Sequence, residues 1–195
     1  MLTGANTNGR EARRQDDYAR QKAASLKRVH EQSKTGRDIG PAPKCKDPKR
    51  RAAAEKSLEK FCTTYFPETY ALPFSDDHRK VLSKAETAII KGGLFSMAMP
   101  RGSGKTTICE TAAVWALFTA RRRFVFLIGS DEDSATRLLS SIKTELEANE
   151  TLAADFPEIC YPIHKLERIS HRCRGQTSEG RPTYIVWNAK ELALP

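Results

Sequence analysis

The chain has 195 residues, a formal net charge of +9, and a hydrophobic content of 39%. This length favours one domain with some additional sequence. No run of residues approaches the ~18 apolar residues of a membrane-spanning helix. The first twenty residues also lack the apolar segment of a secretory signal. These features predict a soluble protein that is not secreted.

The positive charge is concentrated at the N-terminal end. Residues 1–60 contain 16 Lys/Arg and 8 Asp/Glu, and therefore carry +8 of the net charge. This asymmetry is typical of a basic tail beside a folded domain, and such a tail can contact nucleic acid, an acidic protein or an anionic membrane surface. Nucleic acid is the first candidate, because phosphate contacts dominate its non-specific affinity. A solvated leader without a partner is the alternative. We assign residues 1–50 to a partly helical or disordered leader and linker, and residues 51–195 to the folded domain.

The first elements are predicted to be helices. Residues 10–34 favour a basic, weakly amphipathic helix, and the Gly- and Pro-rich residues 35–48 favour a linker. One helix is predicted over KRRAAAEKSLEKFCTTYF, residues 49–66. Another is predicted from about Asp76 to Lys91, with Ser75 or Asp76 as N-cap and Gly92-Gly93 at its end.

Strands and helices alternate in the next part of the chain. LFSMAM (94–99) is predicted to be a buried strand, Lys105 to Arg121 a helix, FVFLIGS (124–130) a strand, and residues 131–150 a helix. This order predicts a parallel α/β sheet. YIVWN (184–188) is predicted to be a third strand, and ELALP at the end of the chain a fourth.

The segment between the first strand and its helix contains most of a phosphate-binding loop. The standard pattern is G-x-x-x-x-G-K-[ST], in which backbone amides cradle phosphates, Lys reaches the β and γ phosphates, and the hydroxyl holds Mg²⁺. Gly104, Lys105 and Thr106 fill the last three places, whereas Met99 replaces the first Gly. The alternative is a Gly/Ser surface turn that precedes a Lys by chance.

Neighbouring residues extend this candidate site. Gly102, Ser103 and Thr107 are further candidates for phosphate contacts. Arg101 lies four residues before Lys105, where a cation can stabilise charge near the γ phosphate. Contact with DNA or pairing with a carboxylate are the other interpretations of Arg101.

The stretch AMPRGSGKTT resembles the deviant Walker A motif of bacteriophage terminase large subunits, the ATPase motors that pump viral DNA into a procapsid. In that family an Arg commonly lies four residues before the motif Lys, and the first Gly is commonly replaced. The resemblance extends over roughly residues 60–195, through YFPETYALPFSDDHRKV, RRRFVFLIGSDEDSA, SIKTELEANETL and YIVWNAKELALP. It implies an incomplete P-loop NTPase core with a parallel sheet, preceded by a basic helical leader.

The resemblance also implies ligands, roles and partners. ATP and Mg²⁺ would be the cofactors, Lys105 and Arg101 the catalytic residues, and Thr106 the Mg²⁺ ligand. Phe74 would stack on adenine and His78 would bind its edge, although a core Phe and a surface His are the alternatives. The partners would be double-stranded DNA, a portal protein, a small terminase subunit and further copies in a ring. The location would be the cytoplasm of a bacterial host.

Parts of a terminase are not evident in the sequence. Asp131 and Glu132 are the candidates for a Walker B acid, but they are better explained as the N-cap and first turn of a helix. Walker B and the nuclease domain are therefore expected beyond Pro195, and the chain is expected to hydrolyse ATP very slowly. A helicase-like P-loop ATPase and a non-catalytic DNA-binding product are the alternative functions.

Cysteine and histidine residues suggest one further site. The array Cys160, His164, His171 and Cys173 has the ligand types of a zinc site. Its spacing matches no compact zinc finger. The favoured interpretation is that Cys160 packs in the core and that the other three residues lie in a polar loop. The five Cys in total, irregularly spaced, predict free thiols rather than disulfides.

Overall fold

The structure is a computed structural model that describes residue 18, residues 20–26 and residues 37–195. Residues 18 and 20–26 are helical and exposed, and the rest of the helix predicted over 10–34 lies outside the described residues. The helices that follow are α1 (Pro48–Glu55), α2 (Leu58–Tyr65), α3 (Asp76–Lys91), α4 (Lys105–Phe118), α5 (Glu132–Ala148), α6 (Glu150–Asp155) and α7 (Pro157–His164). After a 3₁₀ turn at Ser170–Cys173 come the strands β1 (Thr177–Ser178), β2 (Arg181–Pro182), β3 (Val186–Trp187) and β4 (Leu192–Ala193).

The single helix predicted over residues 49–66 is wrong, because the chain breaks between α1 and α2. The Ser57 side chain accepts a hydrogen bond from the Lys60 amide and caps α2. The Leu58 amide donates to the Glu86 carboxylate of α3 at 2.9 Å. Two side chains thus satisfy amides that a continuous helix would satisfy internally.

The predicted bounds of α3 are confirmed. Ser75 is the N-cap and accepts from the His78 amide. Gly92 ends the helix with a φ of 83°, a conformation that glycine adopts without steric cost. The local signals at both ends of this helix were sufficient to define it.

The core is built mainly by helices and aromatic side chains. Phe61 and Tyr65 of α2 meet edge to face with ring centroids 5.0 Å apart, and Phe156 packs on Tyr65 at 5.6 Å and on Phe118 at 5.2 Å. Trp115 of α4 is fully buried, and its indole N–H donates to the Ala54 carbonyl at 3.1 Å. These contacts join α1, α2 and α4 to the start of α7.

A buried ionic network joins α1 to α6. The Asp155 carboxylate is fully buried and accepts two hydrogen bonds from the Arg50 guanidinium, at 2.6 and 2.8 Å. It also accepts from the Tyr65 hydroxyl at 2.9 Å and from the Asp47 amide at 3.2 Å. Burial alone would raise the pKa of Asp155, but these donors and the Arg50 charge lower it below its ordinary value.

The segment before α1 packs on the C-terminal part of the chain. The Ile39 amide donates to the Thr177 carbonyl at 2.8 Å, and the Lys46 amide to the Ala154 carbonyl at 2.9 Å. Asp38 accepts from the Gly180 amide at 2.6 Å. Residues 37–50 therefore make specific contacts with the rest of the fold.

The predicted parallel sheet, and with it the P-loop NTPase core, is contradicted. The two described sheets are two-stranded and antiparallel, with β1 paired to β2 and β3 paired to β4. The segments 94–99 and 124–129 contain no strand, and the third predicted strand is reduced to Val186–Trp187. Strand propensity reflects packing against neighbouring strands, and here the two apolar segments have no such neighbours. No described helix is long and apolar enough to cross a membrane.

Candidate functional site

The loop that precedes α4 depends on two glycines in left-handed conformations. Gly102 has a φ of 82° and Gly104 a φ of 74°. A Cβ at either position would meet no atom within 4 Å, so backbone conformation rather than space favours glycine there. These turns direct the chain from Pro100 into the first turn of α4.

The N-terminus of α4 is open to an anion. Its N-cap, Gly104, has no side chain to accept from the helix amides. The first backbone hydrogen bond along the helix runs from the Ile108 amide to the Gly104 carbonyl, at 2.9 Å. The amides of residues 105–107 therefore precede the helical ladder and are available to an anion, as phosphate binding requires.

Lys105 lies inside the curve of the loop. Its Nζ donates to the carbonyls of Met99 at 2.7 Å and Pro100 at 2.6 Å. The Ser103 hydroxyl donates to the same Pro100 carbonyl at 2.8 Å. The loop thus closes around an ammonium group that adjoins the open helix end.

An open cleft of about 650 Å³ adjoins the loop. Lys105 and Thr106 form one part of its wall, and residues 127–130 form another. The remaining lining residues are on α4 and α5: Cys109, Glu110, Ser134, Arg137, Leu138 and Ser141. Two of the predicted phosphate ligands, Lys105 and Thr106, therefore face this space, whereas Phe74, His78 and Arg101 do not line it.

The two residues predicted to hold adenine lie beside the loop. The Nε2 atom of His78 is 3.1 Å from the Ser103 carbonyl, and its Nδ1 is 2.6 Å from the Ser75 hydroxyl. The Phe74 ring centroid is 6.1 Å from that of His78 and 5.3 Å from that of Tyr70. Phe74 is only partly buried, so one part of its ring remains available for stacking.

Arg101 and Thr107 differ in their surroundings. Arg101 is exposed, and no ion pair of residues 37–195 includes it. Thr107 is half-buried, and its carbonyl accepts from the Tyr70 hydroxyl at 3.2 Å. Arg101 is therefore free to approach a bound anion, whereas the backbone at Thr107 is fixed by Tyr70.

The polar wall of the cleft on α4 and α5 was not predicted from the sequence. Glu110 lies four residues after Thr106, and that spacing places both on the same helical face. Its carboxylate accepts from the Ser141 hydroxyl at 3.2 Å, and burial raises its pKa. Arg137 adds a cation to the opposite wall. The helical spacing from Thr106 would have identified Glu110, whereas Arg137 required the tertiary structure.

Asp131 and Glu132 begin α5, as their position in the sequence predicts. Asp131 accepts from the Ser134 amide at 2.6 Å, and this bond lowers its pKa. Glu132 pairs with Lys190 at 2.7 Å. Both carboxylates have structural partners, in keeping with a helix cap and first turn.

The zinc interpretation gains no support. No group of three or more potential ligands that could hold a metal ion occurs among the described residues. Cys160 is fully buried, and desolvation raises the pKa of its thiol to about 12. His164 lies 3.1 Å from the Leu146 carbonyl. All five Cys are free thiols, as predicted.

No family model, curated protein or solved structure matches this chain. The resemblance to terminases therefore rests on the residues of the loop and its flanking segments. The local geometry around Lys105 is independent of that resemblance.

Proposed function

We propose that residues 100–107 bind the phosphates of ATP together with Mg²⁺, and that the chain is the ATP-binding portion of a phage terminase large subunit. The observation that carries the proposal is the juxtaposition of an uncapped helix N-terminus with the Lys105 ammonium, at the edge of a cleft. Backbone amides and a cation together form the usual recognition of phosphate groups. The wider role in viral DNA packaging comes from the resemblance of the loop.

Lys105 and Thr106 would have distinct tasks in this site. The two carbonyls that hold Lys105 place its ammonium within the loop before a ligand arrives, which limits the ordering cost of binding. Bound phosphate oxygens would replace these carbonyls as acceptors. Thr106 is exposed and lines the cleft, so its hydroxyl is accessible to the Mg²⁺ that accompanies the nucleotide.

The proposal is for nucleotide binding with very slow hydrolysis. Fast phosphoryl transfer needs a group that positions the attacking water. Glu110 is the carboxylate that lines the cleft, but it is hydrogen-bonded to Ser141 and shares its helix with Thr106. Titration of the whole chain with Mg-ATP by isothermal calorimetry tests the proposal. Saturable binding at one site supports it, and no heat of binding at any concentration contradicts it.

Phe74 and His78, the residues proposed to contact adenine, give a prediction that separates contacts to the base from contacts to the phosphates. Replacing Phe74 with Leu should weaken ATP binding by about three- to tenfold, because stacking on an aromatic ring contributes on the order of 1 kcal/mol. Binding of inorganic triphosphate should be unchanged, since it has no base. Competition between the two ligands measures both affinities. Tyr184→Leu, at another exposed aromatic residue, is the control, and an equal loss for both ligands would contradict the assignment.

Double-stranded DNA is the partner we propose for the basic leader. Deleting residues 1–36 should reduce affinity for duplex DNA and flatten its salt dependence. The slope of log affinity against log salt concentration is about −0.9 for each phosphate that the protein neutralises. The deletion stops at residue 36, since residues 37–50 contact the folded part. Fluorescence anisotropy at several salt concentrations measures the effect. A variant with the Lys and Arg residues of 1–36 changed to Gln is the matched control for charge, and unchanged binding in both variants would contradict the proposal.

A further inference from the structure

His78 contacts two parts of the chain through its two ring nitrogens. Its Nε2 lies 3.1 Å from the Ser103 carbonyl, and its Nδ1 lies 2.6 Å from the Ser75 hydroxyl. A carbonyl oxygen can only accept, so Nε2 carries the ring proton and donates to Ser103. In the neutral ring Nδ1 is then an acceptor, and the Ser75 hydroxyl donates to it. Both nitrogens of His78 therefore have partners within the protein, and neither is left to bind the edge of adenine.

The hydrogen bond from His78 fixes the orientation of one peptide group in the loop. In a planar trans peptide, the C=O of one residue and the N–H of the next point in opposite directions. The Ser103 carbonyl is turned toward His78, so the Gly104 amide points away from it. Among the hydrogen bonds of residues 37–195, none is donated by the Gly104 amide. This amide is therefore available to a ligand, and its direction is set by His78.

His78 reaches the loop from outside the cleft. Lys105 and Thr106 line the cleft, whereas His78 does not. The Gly104 amide adjoins those two residues in sequence and points away from His78, as the peptide geometry requires. The ring can therefore orient the backbone of the loop without occupying the space in which a ligand would bind.

A second contact holds the backbone on the α4 side of the loop. The Tyr70 hydroxyl donates to the Thr107 carbonyl at 3.2 Å. The Phe74 ring contacts both the Tyr70 ring and the His78 ring, with centroid distances of 5.3 and 6.1 Å. The same group of three rings thus contacts the loop at Ser103 and α4 at Thr107.

We propose that His78 is a positioning residue for phosphate binding. Its hydrogen bond to the Ser103 carbonyl keeps the Gly104 amide oriented for a phosphate oxygen before the ligand arrives. Donors that are oriented in advance lower the ordering cost of binding. This role depends on the phosphate site proposed above, and it replaces the contact to adenine proposed for His78.

Two substitutions separate the Nε2 donor of His78 from the rest of its side chain. The side-chain amide of His78→Gln extends about as far as Nε2 and can donate to Ser103. The same group in His78→Asn is one carbon shorter and too short to reach Ser103, although both side chains are neutral and polar. His78→Asn should bind inorganic triphosphate with Mg²⁺ about three- to tenfold more weakly than the wild type, because one hydrogen bond is lost. His78→Gln should retain the wild-type affinity.

Calorimetric titrations with triphosphate and with ATP distinguish a role in the loop from a role at the base. Both ligands should lose affinity to the same extent in His78→Asn, because the loop binds the phosphates that they share. Unchanged affinities in His78→Asn, or a loss for ATP alone, would overturn the proposal. An equal loss in His78→Gln and His78→Asn would also overturn it, because the donor would then not be responsible.

Trypsin tests the contact in the absence of a ligand. Arg101 is exposed in the loop, and cleavage after it requires the loop to open locally. His78→Asn should be cleaved there about three- to tenfold faster than the wild type and His78→Gln, with cleavage after the exposed Arg122 unchanged. Equal rates after Arg101 in all three proteins would overturn the proposal. If the wild type bound no triphosphate, the phosphate site itself would fail, and this rate alone would decide whether His78 holds the loop at Ser103.

Discussion

Replacing Lys105 with Ala should abolish measurable binding of Mg-ATP to this chain. The substitution removes the cation enclosed by the Met99 and Pro100 carbonyls, next to the open N-terminus of α4. A hydrogen bond to a charged group contributes about 1.5–3 kcal/mol, and an ammonium that meets two phosphates makes more than one, so the affinity should fall by at least about a hundredfold. Calorimetric titration of both proteins measures the loss.

The controls for this experiment separate charge from geometry and folding. Lys84→Ala removes an exposed Lys from α3 and should leave ATP binding unchanged. Lys105→Arg keeps the charge but places a planar group in a loop shaped around an ammonium, so binding should be weak. Among the described residues, the hydrogen bonds of the Lys105 ammonium go to two loop carbonyls, so the circular dichroism and thermal transition of Lys105→Ala should match the wild type. Unchanged ATP binding in Lys105→Ala would refute the assignment of the loop.

Replacing Asp155 with Ala should lower the free energy of unfolding by about 1.5–3 kcal/mol, the contribution of hydrogen bonds to a charged group, because the Asp155 carboxylate is buried whereas the Arg50 side chain is 35% exposed. The substitution leaves the Arg50 guanidinium and the Tyr65 hydroxyl without their acceptor, and it opens a space between α1 and α6. This loss is a large part of the stability of a typical domain. Urea unfolding at neutral pH measures it.

The effect of Asp155 should also depend on pH. Its pKa in the folded protein is lower than the ordinary value of 3.8, so its contribution is present above that value and is lost as the pH falls through the folded pKa. The difference between wild type and Asp155→Ala should therefore shrink below about pH 4. Asp77→Ala, which breaks an exposed pair with Lys80, should cost less than about 1 kcal/mol. Equal losses in the two variants would contradict the network.

Sequence reasoning succeeded where the deciding signals are local. The bounds of α3 follow from Ser75 and Gly92, which satisfy the ends of the helix within a few residues. The break between α1 and α2 has a local signal, the Ser57 cap, and a distant one, Glu86, which is 28 residues from Leu58 in sequence. The local signal was overlooked, and no local pattern could reveal the distant contact. The predicted strand at 124–130 failed for a related reason. Its composition favours a strand, but a strand needs a partner chain segment, and propensity does not supply one.

The candidate site also has parts that local sequence predicts and parts that depend on tertiary packing. The residues of the loop and the start of α4 were proposed from their motif, because phosphate binding needs particular residue types at fixed spacing. The position of His78 against Ser103 was predicted only as a general location upstream of the loop. The wall formed by Arg137 and Ser141 was missed, because it depends on how α5 packs against α4.

Occupancy of the cleft can be followed by chemical footprinting without any substitution, because the thiols of this chain differ in exposure. Cys109 is exposed on the cleft wall, one turn of α4 after Thr106, whereas Cys62 and Cys160 are fully buried. An alkylating reagent should therefore modify Cys109 in the folded protein while those two thiols are spared. A nucleotide in the cleft would shield Cys109, so the rate of its alkylation, followed by peptide mass spectrometry, reports occupancy of the site in the unaltered chain.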